Sequence, residues 1–180
     1  MPRPRVIVLN GASSSGKTTL GRALQDQLPE NWLLLGVDTL LDAMPARLAS
    51  PEGIEFGAAG QVSVGSAFRH LENAWMAGVA TMARAGARII VDDVFLGGAA
   101  SQDRWRVALA EVPTLWVGVL CSPEVAEARE RARGDRVVGM HRQQAEPVHR
   151  GVTYDLSVDT SDTGAVGCAE EIVAHLMGRG

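Results

Sequence analysis

Cysteine is scarce, with only Cys121 and Cys168 in 180 residues. Two thiols cannot make a disulfide scaffold, and they fit a reducing, cytoplasmic setting in which Cys121 is expected as a small buried apolar residue. A basic excess is also missing: 17 Lys and Arg stand against 21 Asp and Glu, a net charge of −4. That balance argues against a nucleic-acid groove, which normally shows as a basic domain, while leaving room for a local phosphate site. No apolar run approaches the roughly 18–20 residues of a membrane span, so no membrane partner is expected. The four histidines, His70, His141, His149 and His175, have no metal-ligand spacing with the cysteines, and nothing suggests zinc. Internal repeats and low-complexity linkers are absent too.

What is present is an ordinary globular composition, 46% hydrophobic, at a length that fits one domain over residues 1–180. The start of the chain, Arg3-Pro4-Arg5 followed by Val6-Ile7-Val8-Leu9, superficially resembles a signal peptide. Its apolar part is too short and lacks a small-residue cleavage pattern, so it reads as a first strand. Short β-branched runs then alternate with helix-period segments, which points to βαβ units, a parallel sheet and an α/β fold. Strands are expected at residues 5–10, 32–37, 88–94, 114–120 and 156–159. Helices are expected at 17–28, 66–85, 102–111, 123–133 and 165–177. On the second helix Phe68, Leu71, Trp75, Val79 and Met82 form one apolar stripe. Residues 44–65, with a hairpin at 54–64, and residues 134–152 read as irregular, the pattern of binding loops or lids.

Gly11-Ala12-Ser13-Ser14-Ser15-Gly16-Lys17-Thr18 satisfies G-x-x-x-x-G-K-[ST] at every fixed position, between a strand and a helix. The glycines let the backbone curl so that successive N–H groups face one anion, and the helix that follows adds the positive end of its dipole. Lys17 is expected on the outer phosphates of a nucleoside triphosphate, with the Thr18 hydroxyl on Mg2+. A Ser-rich turn is the alternative, and the strand–loop–helix context disfavours it.

Ligands of open parallel sheets bind beyond the carboxyl ends of the strands. Those ends carry Asp38 (with Asp42 beyond it), Asp92 and Asp93, Cys121-Ser122, and Asp159-Thr160. Asp92 closes the run Ile89-Ile90-Val91 and is the expected metal carboxylate; a turn cap is the alternative. Asp38 and Asp93 compete as the base for a phosphate acceptor. Asp38 is favoured because it leaves another strand end, although it could merely cap a short helix. Arg129, Arg131, Arg133 and Arg136, interleaved with glutamates, fit either a salt-bridged helix face or a lid that offsets phosphoryl charge. Arg133 and Arg136, flanking a Gly-Asp turn, are the better lid candidates, within a segment spanning 123–152.

Several stretches together resemble the chloramphenicol phosphotransferase family: residues 7–18 (IVLNGASSSGKT), 36–45 (GVDTLLDAMP), 85–100 (AGARIIVDDVFLGGAA) and 115–119 (LWVGV). The likeness continues through the arginine segment to Gly139-Met140 and Tyr154-Asp155. It implies an adenylate-kinase-like P-loop fold with a five-stranded parallel sheet, helices on both faces and a small arginine-bearing lid. It also implies ATP and Mg2+ as cofactors, and phosphorylation of the primary hydroxyl of chloramphenicol with Asp38 as the catalytic aspartate. Arg129, Arg133 and Arg136 match the family pattern and Arg131 does not. The loop departs from it at Ala12, Ser15 and Thr18, where the family has Gly, Ala and Ser, changes that keep its chemistry. The acceptor pocket is expected from residues 44–65 and from Val94, Phe95 and Leu96. A related kinase for another small alcohol, or a nucleotide-dependent switch without transfer, would share the phosphate loop. The sequence leaves ATP against GTP, and a homo-oligomer against a monomer, undecided.

Overall fold

A computed structural model describes residues 3–57, 60–133 and 139–178, the side chain of Arg133 excepted. Arg136 and the Arg133 side chain therefore lie outside the described residues. Five strands form one parallel sheet: β1 (Val6–Asn10), β2 (Trp32–Gly36), β5 (Arg88–Asp93), β6 (Thr114–Leu120) and β7 (Leu156–Asp159), in the order β2-β5-β1-β6-β7. A separate antiparallel hairpin joins β3 (Ile54–Phe56) to β4 (Val62–Val64), where the sequence placed one.

The alternation of side chains along the strands builds two cores. Ile7 and Leu9 of β1 point to one face, with Ile90, Val117 and Val158, and meet Leu20 and Leu24 of α1 (Lys17–Gln27) and Ile172 of α7 (Gly164–Met177). Val6 and Val8 point to the other face, with Ile89 and Val91. There they meet Met76, Val79 and Ala83 of α3 (Ser66–Arg84) and Trp105 of α4 (Ala99–Ala108). Coverage on both faces buries β1 throughout, which is why Val6, Ile7, Val8 and Leu9 are all apolar. Burying each such aliphatic side chain contributes roughly 1.5–3 kcal/mol relative to exposure. A third, smaller cluster joins Leu40 of α2 (Val37–Asp42), Ile54 of the hairpin and Phe68 of α3.

Four local expectations change. The second strand ends at Gly36 rather than at residue 37, and Asp38 lies in the first turn of α2, where a carboxylate suits the positive end of the helix. On α3, Met82 is 37% exposed and Met76, Ala80 and Ala83 take the inner face. A stripe read at 3.5 residues per turn drifts off the true face over a helix this long. Helix α4 starts earlier than expected, after Gly98 at φ +55°. The stretch read as irregular after residue 133 contains a helix, α6 (Met140–Gln144), and a 3-10 turn at Pro147–His149. The other lid helix is α5 (Pro123–Arg133).

Candidate active site

In-register pairing brings the strand ends to one level: Asn10 lies beside Asp93, Gly36 beside Asp92, and Leu120 beside Asp159. The phosphate loop leaves β1 at this edge. Gly11 passes so close to β6 that a Cβ would sit 2.4 Å from the Val119 carbonyl oxygen. Ser14 and Gly16 both have left-handed backbones, φ +60° and +88°, and Gly16 caps α1. Gly16 adopts this conformation freely, whereas Ser14 must be held in it.

Lys17 is buried and donates from Nζ to the Ala12 carbonyl at 2.8 Å, with Asp92 Oδ1 at 3.9 Å. The Thr18 hydroxyl donates to Asp92 Oδ2 at 2.5 Å. The loop lysine, the loop hydroxyl and the end of β5 thus converge on one point. The donor set there is a hydroxyl and a carboxylate, hard oxygens of the kind Mg2+ takes alongside phosphate oxygens. Among the described residues no group of three or more His, Cys, Asp or Glu is gathered to hold a metal.

Asp93 turns the other way, as the strand period requires. It accepts hydrogen bonds from Trp105 Nε1 at 2.6 Å and from the Val94 amide at 2.7 Å. Burial pushes its carboxyl up to about 6, against the lowering effect of those two bonds. Both of its oxygens are engaged. Asp38, by contrast, is exposed on the wall of the main cleft.

That cleft is about 960 Å³, its open mouth included, and runs from the phosphate loop outward. Lys17, Thr18, Asp92 and Asp38 line its inner end. Val37 and Leu41 of α2, Ile54 and Phe56 of the hairpin, Val64 of β4 and Phe68 of α3 form its apolar wall. Val94 and Leu96 line it as expected; Phe95 does not, being buried in the core at 1% exposure. Among the described residues of 44–65 only the hairpin strands contribute. Sequence reading missed Arg69 and Glu72 on the cleft wall, having treated α3 as a packing helix. Glu72 Oε2 takes Arg69 at 2.7 Å, a helical i,i+3 pair, and Arg104 of α4 at 3.3 Å, a contact that no spacing rule reveals.

Arg129 braces the phosphate loop from the β7 side. It donates to the Thr160 hydroxyl at 3.0 Å and the Thr160 carbonyl at 2.9 Å, and the Thr160 hydroxyl donates to the Ser15 carbonyl at 2.7 Å. Cys121, expected as buried, is only half-buried and lies 3.4 Å from Arg129; Cys168 is the buried thiol. Arg131 pairs with Glu127 at 3.9 Å on the α5 surface, away from the cleft. Asn10, also unforeseen, is buried beneath the loop. Its Oδ1 accepts from the Phe95 amide at 2.8 Å, and its Nδ2 donates to Tyr154 Oη at 2.6 Å and the Val148 carbonyl at 2.8 Å.

A parallel sheet that delivers a phosphate loop beside a strand-end carboxylate and a cleft with an apolar wall defines a P-loop kinase acting on small molecules. More narrowly, the chain belongs to the family described as chloramphenicol phosphotransferase-like protein, whose model matches residues 4–177. It is 32% identical over 198 residues to a Mycobacterium tuberculosis protein named "Putative O-phosphotransferase Rv2636", covering 96% of this chain and 82% of that one. Among solved structures it resembles a sugar kinase from Janibacter sp., with a TM-score of 0.70 at 17% identity, covering 97% and 95% of the two chains. It also resembles the M. tuberculosis APS kinase solved with AMPPNP and APS, with a TM-score of 0.63 at 18% identity, covering 99% of each. Among the described residues no helix is long and apolar enough to cross a membrane.

Proposed function

We propose that the protein is an ATP-dependent kinase that phosphorylates the primary hydroxyl of chloramphenicol, working in the cytoplasm where ATP is supplied. The observation that carries this reading is the sharing of one cleft by Asp38, the Lys17–Thr18–Asp92 group and an apolar wall. Apolar surface with a few convergent polar groups suits an aromatic alcohol. Asp38 takes the proton of the acceptor hydroxyl as its oxygen bonds to the γ-phosphorus and the bond to the β-phosphate oxygen breaks, releasing ADP. Loose phosphoryl transfer needs a positioned, ionised carboxylate rather than a strong base. Lys17 lies where it can release the Ala12 carbonyl for a phosphate oxygen. Thr18 and Asp92 would hold Mg2+, which supplies charge neutralisation on the phosphates. Arg133 and Arg136 belong to this proposal as lid cations, on the evidence of the sequence alone.

Incubation with magnesium ATP and chloramphenicol should give a product heavier by one phosphoryl group. No product at saturating drug, with transfer to another small alcohol, would move the acceptor to that alcohol and keep the kinase. Asp38→Ala should lower kcat by about 10²–10⁴-fold with nucleotide affinity retained. Transfer near the wild-type rate would rule Asp38 out as the base.

A further inference from the structure

We propose that His141 and Gln144 are positioning residues that hold the phosphate loop in its binding shape and tie it to the arginine-bearing segment. Their three-residue spacing places both on one face of α6. From that face they grip a single residue of the loop. Gln144 Oε1 accepts the Ser13 amide hydrogen at 2.7 Å, and His141 Nδ1 donates to the Ser13 carbonyl at 2.8 Å. A carbonyl only accepts, so Nδ1 carries the proton in this contact. Both side chains are buried, at 1% and 6% exposure, where a lost partner is costly.

Ser13 immediately precedes Ser14, the non-glycine loop residue with a left-handed backbone. Such a conformation persists only when its surroundings impose it. The loop is imposed upon from two sides: α6 holds Ser13, while Arg129 and Thr160 hold Ser14 and Ser15. Five residues do not make a stable helix alone. Helix α6 is fixed instead by Glu130 of α5, which is fully buried and accepts the Gly139 and His141 amides at 2.8 Å each. Its other flank rests on the hairpin turn, where a Cβ on Gly60 would come within 2.6 Å of the Met140 Cα. One short helix thus touches the phosphate loop, the lid helix and the acceptor wall.

The test is titration calorimetry of the full chain with magnesium AMPPNP, a readout that does not depend on the acceptor. His141→Phe fills the site without a donor, and Gln144→Met fills it without an acceptor. Each should weaken nucleotide binding about tenfold, a change of about 1.4 kcal/mol. His141→Asn restores an N–H donor near the Nδ1 position and should bind within about threefold of wild type. A purely structural role would instead lower the melting temperature of the Phe and Met variants while leaving the affinity of the folded protein unchanged, and that result overturns the proposal. Equal loss in His141→Asn and His141→Phe overturns it too. Should the Phe variant not fold, Gln144→Met and His141→Asn still decide. Failure of wild type itself to bind would instead strike the nucleotide site, a different conclusion from absence of chloramphenicol transfer.

Discussion

Asp92 and Asp93 are chemically identical neighbours given opposite surroundings by the strand. Asp92 meets Lys17 and Thr18 at the inner end of the cleft, whereas Asp93 is turned under Trp105. Desolvation raises the Asp93 carboxyl from 3.8 to about 6, Glu72 and Asp92 add to the rise, and the Trp105 and Val94 hydrogen bonds oppose it. Because the folded value lies above the unfolded one, the folded chain binds this proton more tightly. The group's stabilisation is therefore fully present below about pH 4 and is lost as pH rises through about 6. The span is on the order of 3 kcal/mol. Denaturant unfolding of wild type and Asp93→Asn between pH 4 and 7 should show their stability difference shifting against wild type as pH rises. A difference that stays flat would mean that Asp93 does not titrate in this window. With both oxygens engaged, Asp93 is placed to hold Trp105 and Val94, and the choice of Asp38 as the base, which the sequence already favoured, remains part of the proposal.

The hairpin β3–β4 stands apart from the main sheet, and in the proposed reading it serves the acceptor. It belongs to neither main core, yet Ile54 anchors it against Leu40 and Phe68, and this leaves Phe56 at the cleft wall with 48% exposure. Phe56→Ala should change stability by only about 0.5 kcal/mol, as surface substitutions do. It should raise KM for chloramphenicol roughly tenfold, corresponding to about 1.4 kcal/mol of lost contact, and leave KM for ATP unchanged. Steady-state kinetics with each substrate varied checks this; equal KM values in variant and wild type would detach the hairpin from the acceptor. At this scale the sequence was informative where periodicity or a turn signal existed: the strands, the long helices and the hairpin. It was silent on α6, because five residues carry too little periodicity and the helix is held by Glu130 from another element. It placed Asp38 at the end of a strand running to residue 37, because a run of Trp32, Leu33, Leu34, Leu35 looks extended, whereas the strand stops at Gly36 and Asp38 lies in a helix. The contact of Glu72 with Arg104 was illegible because a local pattern cannot report which distant helix returns to meet it.

Across the whole molecule, the phosphate loop is the point where separate parts of the fold meet. β1 delivers it from the centre of the sheet, β6 packs against Gly11, Thr160 after β7 holds Ser15, and α6 holds Ser13. That convergence follows from parallel pairing in register, which a sequence with a phosphate loop and strand-end carboxylates does foreshadow. The grips through Asn10, Gln144 and Thr160 do not show in it, since each links residues far apart in the chain. A ligand bound to such a junction stabilises every element that meets there. At a concentration of 100 times Kd, magnesium AMPPNP should add about 2.7 kcal/mol to the stability of the native state. For a chain of this size that corresponds to a rise in melting temperature of roughly 5–10 °C. Lys17→Ala removes the buried ammonium while leaving the sheet and both cores in place, so its own melting temperature should change little next to the loss of the ligand-induced shift. Thermal melts of both proteins with and without nucleotide distinguish the cases. A shift in Lys17→Ala equal to that of wild type would show that the nucleotide stabilises the protein from somewhere other than this loop.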